Sequence, residues 1–279
     1  ASQIFKDREA EIESFQVRVT TIPAPPFGED LRSAFLADVF REAGFAAVRD
    51  GLGNVIAPYG DPGPNPIIIG AHLDTVFAQS EKLELRRDGR VLHLPGISDN
   101  GAGLAALFWV LRVAREVGLR FKRPVWAVAN VGEEGEGNLR GVRELFRARP
   151  WSLSGDAECE FIAVDGAGIQ KITNKGLGSR RFRVRMNGPG GHSWGNFGRP
   201  NPIHAMATAI HRFVSSGARP GTSFNVGRIE GGIGVNAIPK ESVIDVDLRS
   251  VHPHHLEDLQ AHLKRVMNES AFEIGRAHV

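Results

Sequence analysis

In Ala71-His72-Leu73-Asp74-Thr75, a histidine and an aspartate stand two residues apart at the end of an Ile-rich run, Ile67, Ile68 and Ile69. Residues at that spacing on a strand share a face, so Asp74 can hold the second ring nitrogen of His72 while the first faces a metal ion. A purely structural His–Asp pair explains the same two residues. In Gly96-Ile97-Ser98-Asp99-Asn100-Gly101-Ala102-Gly103 an acid sits on a Gly-rich bend ahead of an apolar helix pattern. There it either ligates a cation or simply caps the helix. Gly132-Glu133-Glu134-Gly135-Glu136 is less ordinary, because adjacent carboxylates follow the apolar run Val125–Val131 and ligands gather at the carboxyl ends of parallel strands. Like charges so close repel unless a cation neutralises them or one carboxyl keeps its proton; exposed loop acids are the plain alternative. Asp165 follows a fourth apolar run, Phe161–Val164.

One imidazole with several carboxylates suits Zn²⁺, Mn²⁺ or Co²⁺. The chemistry such a set would do is hydrolysis: a pair of ions polarises a carbonyl and acidifies a water, and a neighbouring carboxylate takes the proton. Adjacent glutamates can divide these roles, because successive side chains point different ways.

These residues need a sheet to gather them. Apolar runs at Asn54–Tyr59, Pro66–Ala71, Val125–Val131 and Phe161–Val164 alternate with helical spacing at Glu29–Ala43, Gly103–Val117 and Leu139–Arg147. Such alternation predicts an α/β fold, a mixed and mainly parallel sheet sandwiched by helices. From about Ile172 the texture changes: Arg181–Met186 alternates at period two, a helix pattern follows at Pro202–Ser215, then strands near Ser223–Ile229 and Ser242–Arg249, then a helix near Leu256–Met267. That order predicts a smaller α+β domain with an antiparallel sheet. The boundary is expected near Asn174, dividing a domain 1–174 from a domain 175–279.

The 279 residues are 42% apolar and 24% charged, the balance of a globular chain rather than a disordered one. A net charge of +2 offers no basic field for nucleic acid. The apolar run Gly101–Leu111 is shorter than the roughly 20 residues that span a bilayer. With one cysteine, Cys159, and no apolar leader near Lys6-Asp7-Arg8-Glu9, a cytoplasmic protein is expected, with neither nucleic acid nor membrane as partner.

His72-Leu73-Asp74-Thr75-Val76, Ser98-Asp99-Asn100-Gly101-Ala102-Gly103, Glu133-Glu134-Gly135 and Gly191-His192-Ser193, in that order, resemble the motifs of the M20 family of co-catalytic metallopeptidases and N-acyl amino acid deacylases. The resemblance covers essentially the whole chain. It implies a catalytic α/β domain and a smaller lid domain that often makes a homodimer. It further implies that Asp99 bridges two divalent ions, most often zinc, with His72 and Asp165 on one ion and Glu134 on the other. Glu133 would be the general base, Asp74 the support of His72, and His192 a donor to the oxyanion of the tetrahedral intermediate. Asn236 and Arg249 resemble substrate-contacting positions, a turn asparagine and a solvated strand-end arginine being their plain alternatives. Asp at position 165, in Val164-Asp165-Gly166, is similar to aminopeptidases and tripeptidases and favours small peptides as substrates. An N-acyl amino acid deacylase or carboxypeptidase is the second reading, and a non-catalytic binding protein that keeps the fold the third. The family's last ligand, a histidine beyond the lid, has no counterpart up to Val279. His278 lacks the Gly-rich context and is not assigned. One tightly and one weakly held ion, with little peptidase activity, are therefore expected of these 279 residues.

Three features stay outside this scheme. Val251-His252-Pro253-His254-His255 is a histidine cluster ahead of a helix, which a solvated helix start explains and metal capture also would. Cys159 stands between Glu158 and Glu160, surroundings that raise rather than lower a thiol pKa. Gly231-Gly232-Ile233-Gly234 lacks the lysine and the strand–helix context of a phosphate loop.

Overall fold

The computed structural model describes residues 2–61, 63–151, 158–166, 168 and 170–276. The chain divides into two compact units, residues 1–171 and 172–279. The first opens with helices α1 (Ser2–Asp7) and α2 (Glu9–Thr20), then α3 (Asp30–Glu42) and strands β1 (Val48–Arg49), β2 (Val55–Tyr59) and β3 (Ile67–His72). A short hairpin follows, β4 (Arg86–Asp88) and β5 (Val91–His93), then α4 (Gly103–Glu116), β6 (Val125–Asn130), α5 (Arg140–Ala148) and β7 (Glu160–Ala163).

The sheet runs β1-β2-β6-β3-β7. It is mixed, as the sequence predicts, with the parallel pairings confined to β6-β3-β7 and antiparallel pairings at β1-β2-β6. Strand periodicity sends alternate residues to opposite faces. On one face Val55, Ala57, Ala127 and Ala129 meet Phe15 and Val19 of α2, Leu36 and Phe40 of α3, and Leu104, Phe108 and Leu111 of α4. On the other, Ile56, Ile68 and Val128 meet Leu145 of α5 and Trp151. Burial on both faces is why β3 and β6 read as continuous apolar runs. Helices α1 and α2 have too sparse an apolar stripe to stand out by periodicity; Ile4 and Phe5 anchor α1, and Ile12, Phe15 and Val19 anchor α2. The boundaries of α3, α4 and α5 fall within a residue or two of those predicted.

The second unit holds β8 (Gly178–Asn187), β9 (Gly191–His192), α6 (Pro202–Ser215), β10 (Thr222–Gly231), β11 (Ala237–Ile238), β12 (Glu241–Ser250) and α7 (Pro253–Arg276). Its main sheet is antiparallel in the order β10-β12-β8. Along β12 burial alternates at every residue, so Ile244, Val246 and Leu248 pack with Met206 and Phe213 of α6 and Leu263 and Met267 of α7. The opposite face carries cross-strand ion pairs, Arg183–Asp245 at 2.8 Å and Arg185–Glu241 at 2.5 Å. Asn201 caps α6 through the Ile203 amide at 2.9 Å, and Pro202 occupies the first helical position. Helix α7 starts at Pro253, three residues before the predicted Leu256, which places His254 and His255 inside its first turn. Among the described residues no helix is long and apolar enough to cross a membrane.

Phe108 is the aromatic hub of the first unit, 4.7 Å from Phe15 and 5.3 Å from Phe40 between ring centres. Phe108→Ala should lower unfolding stability by about 3–5 kcal/mol, the range for buried aromatic deletions. A urea titration followed by circular dichroism reads it; a loss under about 1 kcal/mol would show that this cluster does not hold the unit together.

Candidate metal centre

Strands β6, β3 and β7 run parallel, so their carboxyl ends open at one edge of the sheet. His72 is the last residue of β3, Glu133 and Glu134 follow β6, and Asp165 follows β7. Asp99 reaches the same place from the turn Ile97–Ala102 that leads into α4. Ring nitrogen Nε2 of His72 is 2.9 Å from Asp99 Oδ1 and 3.4 Å from Asp165 Oδ1. His72, Asp99 and Glu134 each offer a ligand atom within 4.8 Å of the others. The imidazole is buried at 3% exposure, whereas the side chains of Asp99 and Asp165 are about half exposed, at 55% and 48%. The cluster therefore has a buried wall and an open mouth.

The support of His72 differs from the expected one in a single atom. Its Nδ1 lies 2.9 Å from the backbone carbonyl of Asp74 and 3.7 Å from the Asp74 carboxylate, so the carbonyl takes the ring proton. The carboxylate is turned elsewhere: it accepts the amides of Glu133 at 2.9 Å and Glu134 at 2.8 Å. Asp74, with no exposed surface, thus positions both glutamates as well as the histidine. Hydrogen bonds to the charged form of a carboxylate are the strong kind and fix the loop's register.

Several neighbours that the motifs do not reveal complete the frame. Asn100 is buried, donates to the Val164 carbonyl at 2.9 Å and accepts the Gly103 amide at 3.1 Å, joining the Asp99 turn to the end of β7 beside Asp165. A Cβ on Gly103 would lie 2.0 Å from Asn100 Oδ1, so only glycine fits there. Arg32, 1% exposed, donates to the carbonyls of Leu73 at 2.6 Å, Thr20 at 3.0 Å and Ile22, tying the end of β3 to the segment after α2. Gly132 has φ +65 and lies against the stem of Arg140, whose guanidinium meets buried Glu29 at 2.6 Å. A β-substituted residue at 132 would collide with that arginine. Helical spacing showed Arg32 only as one polar position of a helix; its role needs the fold.

The electrostatics follow from crowding acids into partial burial. Burial pushes the Glu133 and Glu134 carboxyls up, opposed by the nearby His72 cation and reinforced by neighbouring carboxylates. Burial alone would drive His72 down, yet Asp165 and Asp74 outweigh it and push it up to about 11. Asp165 is held low, first by its hydrogen bond with His72. Carboxylates thus crowd the His72 imidazole. One imidazole nitrogen and carboxylate oxygens converging within 4.8 Å are a donor set that fits a divalent ion.

In the second unit β9 pairs with β11, setting His192 opposite Ala237, and the Ser193 amide donates to the Asn236 carbonyl at 2.9 Å. His192, at the end of β9, and Asn236, just before β11, are therefore neighbours, both exposed. Nδ1 of His192 accepts the amides of Trp194 at 3.2 Å and Gly195 at 3.3 Å, which leaves the proton on Nε2. Arg249, half-buried near the end of β12, donates through Nε to Asp247 at 2.7 Å. His278 lies outside the described residues.

A model for a peptidase dimerisation domain matches residues 173–274, and a model for peptidase family M28 matches residues 54–175. Succinyl-diaminopimelate desuccinylase of Methylibium petroleiphilum is 29% identical over 197 residues, covering 67% of this chain and 50% of that protein. Carboxypeptidase G2 of a Pseudomonas species is 23% identical, covering 82% and 56%. Among solved structures, aminopeptidase PepT of Bacillus cereus superposes with a TM-score of 0.68 at 20% identity, covering 95% of this chain and 72% of that one. Bacillus subtilis YxeP, a dinuclear metal-binding peptidase of the M20 family, gives 0.67 at 15% identity, covering 97% and 72%. These matches support an M20-type metallopeptidase. It spans between half and about three-fifths of the length of the curated relatives it matches.

Asp74→Ala would orphan two partly buried amides and loosen both glutamates. It should cost about 1–3 kcal/mol of stability per orphaned amide and weaken zinc binding by 10-fold or more, the scale of losses behind metal ligands. Urea unfolding and competitive zinc titration measure the two; unchanged zinc affinity would show that Asp74 does not position the cluster.

Proposed function

We propose that this chain carries the hydrolytic centre of a metal-dependent exopeptidase acting on small peptides. The observation that supports it best is the gathering of His72, Asp99, Glu134 and Asp165 at one sheet edge with Glu133 beside them. Two divalent ions, zinc by donor type with cobalt or manganese as substitutes, would supply an acidified water and a polarised scissile carbonyl. His72 and Asp165 would hold one ion, Glu134 the other, and Asp99 both. Glu133 is the proton acceptor: its amide is pinned by Asp74 and burial raises its carboxyl towards the range where a base both accepts and returns a proton. His192, with its proton on Nε2, is a donor suited to an oxyanion. Asn236 and Arg249 would meet the substrate, Arg249 turning from Asp247 to a substrate carboxylate.

The free-amino preference is supported by the aspartate at position 165 and by the likeness in fold to an aminopeptidase and a tripeptidase. Deacylase or carboxypeptidase action is the second reading, supported by the desuccinylase and carboxypeptidase relatives. Side-by-side assay of unblocked di- and tripeptides and of N-acyl amino acids decides between them. Faster turnover of the unblocked series by 10-fold or more supports the first; the reverse replaces it with the second.

Glu133→Gln should retain bound zinc and lower kcat by several orders of magnitude, because it removes the proton acceptor and leaves the ligands in place. Metal analysis with kinetics tests this, and a parallel loss of zinc would move Glu133 into the ligand set. The dimerisation-domain match supports a homodimer through edge strand β8 or helix α6. Light scattering at tens of micromolar should give twice the chain mass; a strict monomer overturns the pairing.

A further inference from the structure

His252, His254 and His255 lie where β12 hands over to α7, the first on the connecting turn and the others in the helix's first turn. Their ring centres are 5.6 Å (His252–His254), 5.2 Å (His252–His255) and 4.2 Å (His254–His255) apart. Among the described residues no side chain hydrogen-bonds any of the three rings, and Nδ1 of His255 is buried without a partner. The backbone beneath them is anchored, since the His252 amide donates to Ser250 Oγ at 3.0 Å and its carbonyl accepts the Leu256 amide at 3.2 Å.

Two of these separations are close to those a metal ion imposes, while the ligand nitrogens of the three rings do not all lie within 4.8 Å of one another. With a metal–nitrogen bond of about 2.0–2.1 Å and the ring centre about 1.2 Å beyond the nitrogen, two imidazoles on a tetrahedral ion stand roughly 5 Å apart. The two spacings made by His252 are already there. His254 and His255 stand closer, and the exposed His254 ring has room to open the gap. The nitrogens are not yet aimed at one point, but histidine's χ2 is broad and a ring turn brings them inward. Asp258, one turn on from His254 and now 2.7 Å from Arg219, shares this helix face and can complete the coordination.

We propose that His252, His254 and His255 form a second, imidazole-type metal site that takes zinc, nickel or copper, independent of the hydrolytic centre. Three imidazoles suit these borderline ions, where the carboxylate-rich centre suits harder ones as well. An ion held there ties the turn after β12 to the start of α7 and stabilises the second unit.

The full 279-residue chain, the triple variant H252A/H254A/H255A and the variant His72→Ala are dialysed against micromolar zinc and analysed for metal, with thermal melts alongside. The triple variant should hold one zinc fewer per chain than the parent and lose the part of the zinc-induced rise in Tm that His72→Ala keeps. Equal zinc content in the parent and a folded triple variant overturns the site. If the triple variant does not fold, copper bound to the His72→Ala chain decides by electron paramagnetic resonance. Hyperfine splitting from two or three nitrogens supports the cluster, and one nitrogen or none overturns it. Neither outcome depends on whether the chain hydrolyses peptides.

Discussion

Mutual repulsion of the carboxylates around His72 is the constraint on which the rest of the first unit depends. Two such groups about 4–5 Å apart oppose each other by roughly 3–4 kcal/mol at an effective dielectric constant near 20, and Asp99, Glu133, Glu134 and Asp165 all crowd one sheet edge. Left to themselves they would swing into solvent. The fold prevents that by fixing backbone rather than side chains: Asp74 holds the amides of both glutamates, Asn100 ties the Asp99 turn to the end of β7, and Arg32 clamps the residue after His72.

Those anchors are themselves buried polar groups and are stable only because each is satisfied. Arg32 is nearly without exposed surface and gives its guanidinium to backbone carbonyls rather than to an acid. Burial brings its pKa down to about 10, with Asp74 pulling the other way, so it remains a cation at neutral pH. Glu29 and Arg140 form a largely buried ion pair beneath Gly132, which leaves Glu29 Oε1 and Arg140 Nε without hydrogen-bond partners. Breaking one partner of such a pair is costly because the other is left charged and dry. Phe15, Phe40 and Phe108 stack on the sheet face covered by α2, α3 and α4, and α3 also carries Arg32.

The second unit shows the same logic at lower charge density. One sheet face is closed by α6 and α7, and the other is a lattice of alternating arginines and acids. Paired β9 and β11 set His192 beside Asn236, and loop amides choose the histidine's tautomer.

The cluster of candidate site residues, the two-unit architecture and most element boundaries were legible in the sequence, because they rest on short-range signals. His72, Asp99, Glu133, Glu134 and Asp165 each end an apolar run or sit on a glycine bend, and period two or 3.6 marks the elements between them. Helices α1 and α2 were not legible, since Ile4 and Phe5 of the first and Ile12, Phe15 and Val19 of the second gain meaning only against the rest of the core. Neither were Asn100, Arg32 and the Glu29–Arg140 pair, whose partners lie 10 to 111 residues away in the chain. The sequence placed Asp74 next to His72 and pointed to a carboxylate–imidazole bond. Tertiary structure gave that bond to the Asp74 carbonyl and turned the carboxylate to the loop after β6. Spacing along a strand says which side chains share a face, but only the neighbouring strand brings the amides of Glu133 and Glu134 within reach, and two amide donors hold a buried carboxylate better than one ring nitrogen.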